Sequence, residues 1–205
     1  YYTDAEEKVD YQIMSESENL FFASGPNEHW QLSFGDIALH RQAVLYKKIK
    51  MYTQENVGWG RIHLPEIQMH TEASWITFAD DWLAAQVPQR LQGAVLSGLS
   101  YLMGRLAPGY LMCDQSDLRA LSFVRSPFSQ KSSVLFYDSY PGGIALSKRL
   151  FHIIFELIAA AEKVIADCPC DDGCPSCIGP MEVLSQKIEG GADAGTNFKK
   201  LGRSL

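Results

Sequence analysis

The chain has 205 residues, 46% hydrophobic and 20% charged, enough apolar side chain for one large or two small cores and too little charge for a disordered protein. A formal net charge of −6 and a pI near 5.3 exclude non-specific coating of nucleic acid, so any such contact must be a local basic face. The longest apolar stretch, around Ile153–Ala161, is broken by Glu156 and falls short of the roughly 20 residues of a membrane span, so a soluble protein with no membrane partner is expected. The chain opens Tyr1-Tyr2-Thr3-Asp4, without initiator methionine or leader, and reads as part of a longer polypeptide.

The first third reads as antiparallel sheet. Gln12–Met14, Leu20–Ala23, Trp30–Phe34 and Ala43–Thr53 are strand candidates, punctuated by turn residues at Gly25-Pro26-Asn27 and Asn56–Gly60. The clearest strand is Ile67–Phe78, where Ile67, Met69, Ala73 and Trp75 alternate with Gln68, His70, Glu72 and Ser74; one face is expected buried and the other wet. Arg41, Lys47, Lys48 and Lys50 stand near Tyr46, Tyr52 and Trp59, a basic and aromatic concentration in an acidic chain. Such interleaving can follow a phosphate backbone and stack bases. The alternative is a solvated strand face with its aromatics turned into the core. His70 and Glu72 can form an acid–base or ligand pair, or simply a solvated surface pair.

After Phe78 the period changes. Ala79-Asp80-Asp81-Trp82 starts a helix with acidic residues in its first turn, and Pro88 starts a second in which Leu91, Val95, Leu99, Leu102 and Leu106 recur at helical spacing. Gly93, Gly98 and Gly104 weaken that helix, which implies close packing against a neighbour, and Pro108-Gly109 is expected to end it. Ser133–Tyr140 reads as a buried strand, and Pro141-Gly142-Gly143 turns it into a mostly buried helix from Ile144 to about Ala166. That glycine pair can present helix amides to an anion, but it matches no phosphate-loop pattern and a tight structural turn is the simpler reading. Asp114, Asp117 and Asp138 can together hold a hard cation for phosphodiester cleavage; alternatively they tie loop amides and cap helices.

The helix runs into Cys168, Cys170, Cys174 and Cys177, a CxCxxxCxxC run with Pro169, Gly173, Pro175 and Gly179 supplying tight turns. Cys113 stands apart. A clustered set of this kind is unlike a secreted disulfide framework and fits a reducing cytoplasm. The spacing points to Zn2+, with an iron–sulfur cluster and strained local disulfides as alternatives. Four thiolates leave no position for water, so the ion is expected to be structural, worth on the order of 10–16 kcal/mol of apparent binding free energy. A catalytic thiol is disfavoured, because Asp167, Asp171 and Asp172 oppose thiolate formation unless a dication is bound. Met181–Leu184 is expected to fold back as a short helix.

The expected fold class is α+β. Residues 1–78 form a β-rich antiparallel meander or small barrel; residues 79–190 form packed helices with one further buried strand and the zinc knuckle at 168–177. Both are parts of one zinc-binding domain, and residues 191–205 form a flexible basic tail.

The run Phe136-Tyr137-Asp138-Ser139-Tyr140-Pro141-Gly142-Gly143-Ile144-Ala145-Leu146-Ser147, followed by the four cysteines and Ile178-Gly179-Pro180, resembles the C-terminal zinc-binding (MZB) domain of MrfA-type superfamily 2 DNA repair helicases. Gly35-Asp36-Ile37, Val44–Ile49, Leu64-Pro65, Thr71-Glu72-Ala73 and Met112–Leu118 are similar to that domain in the same order, so the likeness runs from about Trp30 to Pro180. It implies that Cys168, Cys170, Cys174 and Cys177 are zinc ligands and that the parent chain is an ATP-dependent helicase, commonly moving 3′ to 5′. The implied partners are winged-helix and RecA-like domains and DNA, single-stranded DNA in particular. ATP and Mg2+ would belong to the motor, since this chain has neither a GK[ST] phosphate loop nor an Asp-Glu-x-His box. Ala145 stands where the family pattern leads one to expect glycine. Two other readings stay open: a metal-dependent nuclease using the three aspartates, and a motor-less protein-interaction module of a DNA-processing or antiphage complex.

Overall fold

Two strands, β1 (Tyr2–Ala23) and β2 (Glu28–Ile49), pair antiparallel over nearly their whole length. The computed structural model describes residues 2–23, 28–53 and 55–180 together with Leu184, Ile188 and Lys199, with backbone alone for residues 2–8, 19–23 and 28. Four short strand candidates therefore belong to two long strands of one ribbon, and β2 exchanges its second neighbour along its length, the strand Ile67–Phe78 at residues 30–41 and the strand Asn56–Arg61 at residues 45–49. Register shifts at Glu6/Glu7, Ile13/Ser15, Glu16/Glu18 and Phe22/Ala23 bend the ribbon. The turn expected over Gly25–Asn27 lies outside the described residues.

β3 (Asn56–Arg61) pairs only with the end of β2, so the expected turn at Asn56–Gly60 is a strand and the actual turn sits at Met51–Thr53. β4 (Ile67–Phe78) continues the sheet, followed by helices α1 (Asp80–Gln86) and α2 (Gln89–Leu111). α2 runs on through Pro108 for one more turn and closes on Met112 in the left-handed region, at φ 56°, rather than stopping at Pro108-Gly109. Two strands then follow where one was expected: β5 (Leu118–Phe123) and β6 (Ser133–Asp138), before helix α3 (Leu146–Asp167). The main sheet has the order β1-β2-β4-β6-β5, and every pairing is antiparallel.

Both faces of this sheet are covered. Leu32, Phe34, Ile76, Phe78, Val134 and Phe136 point at the helices and share a core with Leu96, Leu102, Leu150, Ile154 and Leu157. On the other face, Tyr11, Ile37, Leu39, Met69, Trp75, Leu135 and Tyr137 form a second core. That face closes because the sheet curls. Tyr11 of β1 meets Phe123 of β5 with ring centroids 5.1 Å apart, and its hydroxyl shares a 2.8 Å hydrogen bond with Ser126, so the two outer strands approach as in a small barrel. Each fully buried leucine, isoleucine or phenylalanine contributes about 1.5–3 kcal/mol relative to exposure.

The alternation expected of β4 holds only from Gln68 to Glu72, and Ile67, expected on the buried face, is exposed. From Ala73 to Ile76 every residue is buried, because helix α3 covers the face that would otherwise be wet. Ser74 tolerates this by donating to the Ser147 carbonyl at 2.6 Å, and buried Thr71 donates to the carbonyls of Asp138 and Tyr140.

Candidate metal centre

Helix α3 hands its chain directly to the cysteine run. Cys168 caps the helix in extended conformation, its N–H bonded to the Val164 carbonyl, and the chain then reverses through Gly173 at φ 116° and Gly179 at φ 97°. A single turn closes the second half of the knuckle: the N–H groups of Cys177 and Ile178 both reach the Cys174 carbonyl. Cys177 is fully buried and Ile178 nearly so, both within the helix-side core. Ile178 lies over Gly98 of α2, where a β-carbon would come within 3.0 Å of the Ile178 carbonyl oxygen. The knuckle thus bolts the end of α3 to the middle of α2.

The four sulfurs converge, all within 4.8 Å of one another. Separations are 3.4 Å for Cys168–Cys170, 3.6 Å for Cys168–Cys174, 3.5 Å for Cys170–Cys177 and 3.8 Å for Cys174–Cys177. A tetrahedral ion with metal–sulfur bonds of about 2.3 Å sets its sulfurs about 3.8 Å apart, so the donor set fits one zinc-sized ion. Disulfides are excluded by these distances, and all four are free thiols. A cubane cluster places several irons between its thiolates and needs a wider cage than this one. Among the described residues this quartet is the one group of three or more His, Cys, Asp or Glu side chains close enough to share a metal ion.

The thiols differ in their readiness to ionise. Cys174 is drawn down to about 6, first by the Ser176 N–H donated to its sulfur and then by Cys168. Burial pushes Cys177 up to about 12, and burial likewise raises Cys170. One resident thiolate beside protonated neighbours is a landing point for a dication, which then displaces the remaining protons.

Residues 99–178, from the middle of α2 through the knuckle, match the family model of the MrfA Zn-binding domain. This chain carries an MrfA Zn-binding domain. It is similar to the ATP-dependent helicase YprA of Bacillus subtilis, 35% identical over 181 residues that make up 87% of this chain and 23% of that protein. It is also similar to the ATP-dependent helicase HRQ1 of Saccharomyces cerevisiae, 25% identical over 57% of this chain and 12% of that protein. In structure it resembles the DUF1998 helicase MrfA bound to DNA, with TM-score 0.68 and 33% identity, over 91% of this chain and 25% of that one. The chain therefore spans a quarter or less of the length of these helicases.

In this MrfA Zn-binding domain the three aspartates have structural duties. Asp138 is fully buried; its Oδ2 accepts from the N–H groups of Ile144 (2.6 Å) and Leu146 (3.1 Å), and its Oδ1 from Ser147 (2.7 Å). Asp117 accepts from the Asp114 N–H and the Tyr140 hydroxyl, while Asp114 holds the Ser116 N–H and hydroxyl. Their oxygens are spent on the chain's own donors, and they do not gather as a cation site, which removes the geometric basis for the nuclease reading. The N–H groups of Gly142, Gly143, Ile144, Ala145, Leu146 and Ser147 all have acceptors within the chain, so the Gly142-Gly143 turn offers no anion seat. Glu72 completes this arrangement by accepting the Ala145 N–H at 3.1 Å, so it is neither a partner of His70 nor a free surface acid.

The basic–aromatic segment divides by strand geometry. Cross-strand pairing puts Lys47 opposite Trp59 and Leu45 opposite Arg61, so Lys47, Trp59 and Arg61 share one face of the β2–β3 arm. Tyr46 and Lys48 point the other way, where the Tyr46 ring lies against Gly60. Trp59 is 66% and Tyr52 97% exposed, so these aromatics are not turned into the core. Lys50 pairs with Glu55 at 2.7 Å, and Arg41 is half-buried where β2 leaves β4, away from the arm's tip. Arg61 was not among the expected cations; its alternation with Trp59 across one intervening glycine is the signal that could have found it.

Proposed function

We propose that this chain is the zinc-binding accessory domain of an ATP-dependent DNA repair helicase, in which Cys168, Cys170, Cys174 and Cys177 hold one structural zinc ion. The convergence of four thiolates at the end of α3 carries this reading. Bound zinc supplies a closed four-way crosslink with no open coordination position. The chain's own residues do the rest: Cys177 and Ile178 seat the knuckle in the core, Gly98 lets it approach α2, and Asp138 and Glu72 hold the other end of α3. Together they make α3 a rigid strut against the curled sheet. The reading places the domain in a cytoplasmic chain, beside winged-helix and RecA-like domains that supply ATP hydrolysis and 3′ to 5′ movement.

Guidance of single-stranded DNA is the role we assign to the β2–β3 arm, with Trp59 and Tyr52 as stacking surfaces and Lys47 and Arg61 as phosphate contacts, Lys48 lying on the opposite face. Arg41 and Lys50 contribute less, one being half-buried and the other paired with Glu55. Base stacking on an aromatic is worth about 1–3 kcal/mol per base. In the parent helicase, Trp59→Ala combined with Lys47→Glu, which face the same way, should weaken single-stranded DNA binding about tenfold or more. Equal affinity for mutant and parent would remove the arm from the DNA path. Cys177→Ser or Cys174→Ser should abolish zinc retention and unfold the α2–α3 packing, as read by metal content and circular dichroism. A folded, zinc-free variant would defeat the structural-zinc reading.

A further inference from the structure

Lys199 lies 22 residues beyond the last cysteine, yet it is seated on the knuckle. Its Nζ donates to the carbonyl oxygens of Cys168 and of Cys170, the latter at 3.0 Å, and its backbone N–H reaches the Asp172 carbonyl at 3.2 Å. The flexible tail expected from composition therefore contains at least one residue with a defined seat; residues 189–198 and 200–205 are outside the described set.

Three features of that seat favour a cation. Cys168 is the C-cap of α3, so the carbonyl that Lys199 binds lies at the negative end of a 22-residue helix. The last turn of α3 contains no basic residue of its own. A zinc ion bound by four thiolates carries about −2, and Asp171 and Asp172 lie within the same ten-residue run, with Asp167 closing the helix just before it.

We propose that Lys199 is a positioning residue for the metal centre: its ammonium, held by the Cys168 and Cys170 carbonyls, braces the knuckle backbone and offsets the negative charge of the zinc–thiolate cluster. Metal loading and seating of Lys199 are then coupled, each strengthening the other by the same factor. The inference rests on the zinc reading of the four cysteines and deepens it.

The test uses the whole 205-residue chain loaded with zinc, and follows transfer of the ion to a coloured chelator. Lys199→Gln should speed zinc loss on the order of tenfold, within the usual range for coupled sites. Lys199→Arg, which keeps the charge and the donors, should stay near the parent rate. Lys163→Gln, which removes an exposed cation from the same helix, should also leave the rate unchanged. Circular dichroism of each zinc-loaded variant checks that the fold persists. Equal rates for Lys199→Gln and the parent, or an equal effect from Lys163→Gln, would overturn the proposal. A parent chain that takes up no zinc would refute the metal reading itself, a result distinguishable from failure of the Lys199 contact.

Discussion

Replacing Asp138 by asparagine separates a structural carboxylate from a catalytic one, because the substitution keeps the shape and removes the charge. Both oxygens of Asp138 face N–H donors of the β6–α3 turn in a fully buried setting. An asparagine must point its amide nitrogen at one side. The less harmful orientation directs it at Ser147, leaving that N–H without an acceptor at a cost of about 1–3 kcal/mol. The bonds to Ile144 and Leu146 survive but lose charge assistance, about 1 kcal/mol each. Relief from burying a charge offsets part of this, so the net loss should be about 3 kcal/mol, or roughly 6–12 °C in Tm for a chain of this size. Urea denaturation of the zinc-loaded protein, followed by far-ultraviolet circular dichroism, measures it. An Asp138→Asn variant within about 0.5 kcal/mol of the parent, a shift typical of neutral surface changes, would refute the capping role. Stability retained together with loss of a Mg2+-dependent DNA cleavage would restore the nuclease reading.

Ala145 occupies the left-handed region at φ 63°, where an L side chain costs about 1–2 kcal/mol. Ala145→Gly should stabilise the fold by roughly 0.5–1 kcal/mol after the added entropy of the unfolded chain is deducted, and a lower denaturation midpoint would contradict this. At Gly143, by contrast, φ is +74° and a β-carbon would come within 2.6 Å of Glu72 Cγ, so Gly143→Ala should cost about 2–3 kcal/mol in the same assay. Zinc uptake must displace protons from Cys170 and Cys177, whose thiols burial raises, the latter to about 12, whereas Cys174 at about 6 is already ionised at neutral pH. Protons therefore stabilise the metal-free state, and those two thiols alone should lower apparent zinc affinity about a hundredfold per unit fall in pH near neutrality. Competition titrations at several pH values read this directly, and a flat profile would contradict it.

The cysteine quartet is legible in the amino-acid sequence because its information is local: four ligand residues within ten positions, separated by turn formers, have few other uses. Helical spacing in α2 and α3 is legible for the same reason, since an apolar stripe is written into neighbouring turns. What local sequence does not decide is where the long ribbon breaks. β1 and β2 are continuous strands, and β2 exchanges β4 for β3 as its neighbour on passing from the sheet to the arm, so fragments of the alternation look like separate strands and the β3 strand like a turn. The β5 strand carries no comparable local mark, because its partner, β6, is separated from it in sequence by the loop over residues 124–132.

Asp138, Glu72 and Lys199 mark the same divide at single residues. Their types suggest a metal ligand, a surface acid and a flexible tail cation, and each acquires its role from groups brought to it by the fold: the amides of the β6–α3 turn, the Ala145 N–H and the knuckle carbonyls. Local sequence by itself determined that this protein has a four-thiolate site and the helix that feeds it, because residue type and spacing alone specify both. Only the tertiary structure decided which charges are spent on the chain's own backbone and which stay on the surface, because a carboxylate or an ammonium takes its function from the partner the fold puts beside it.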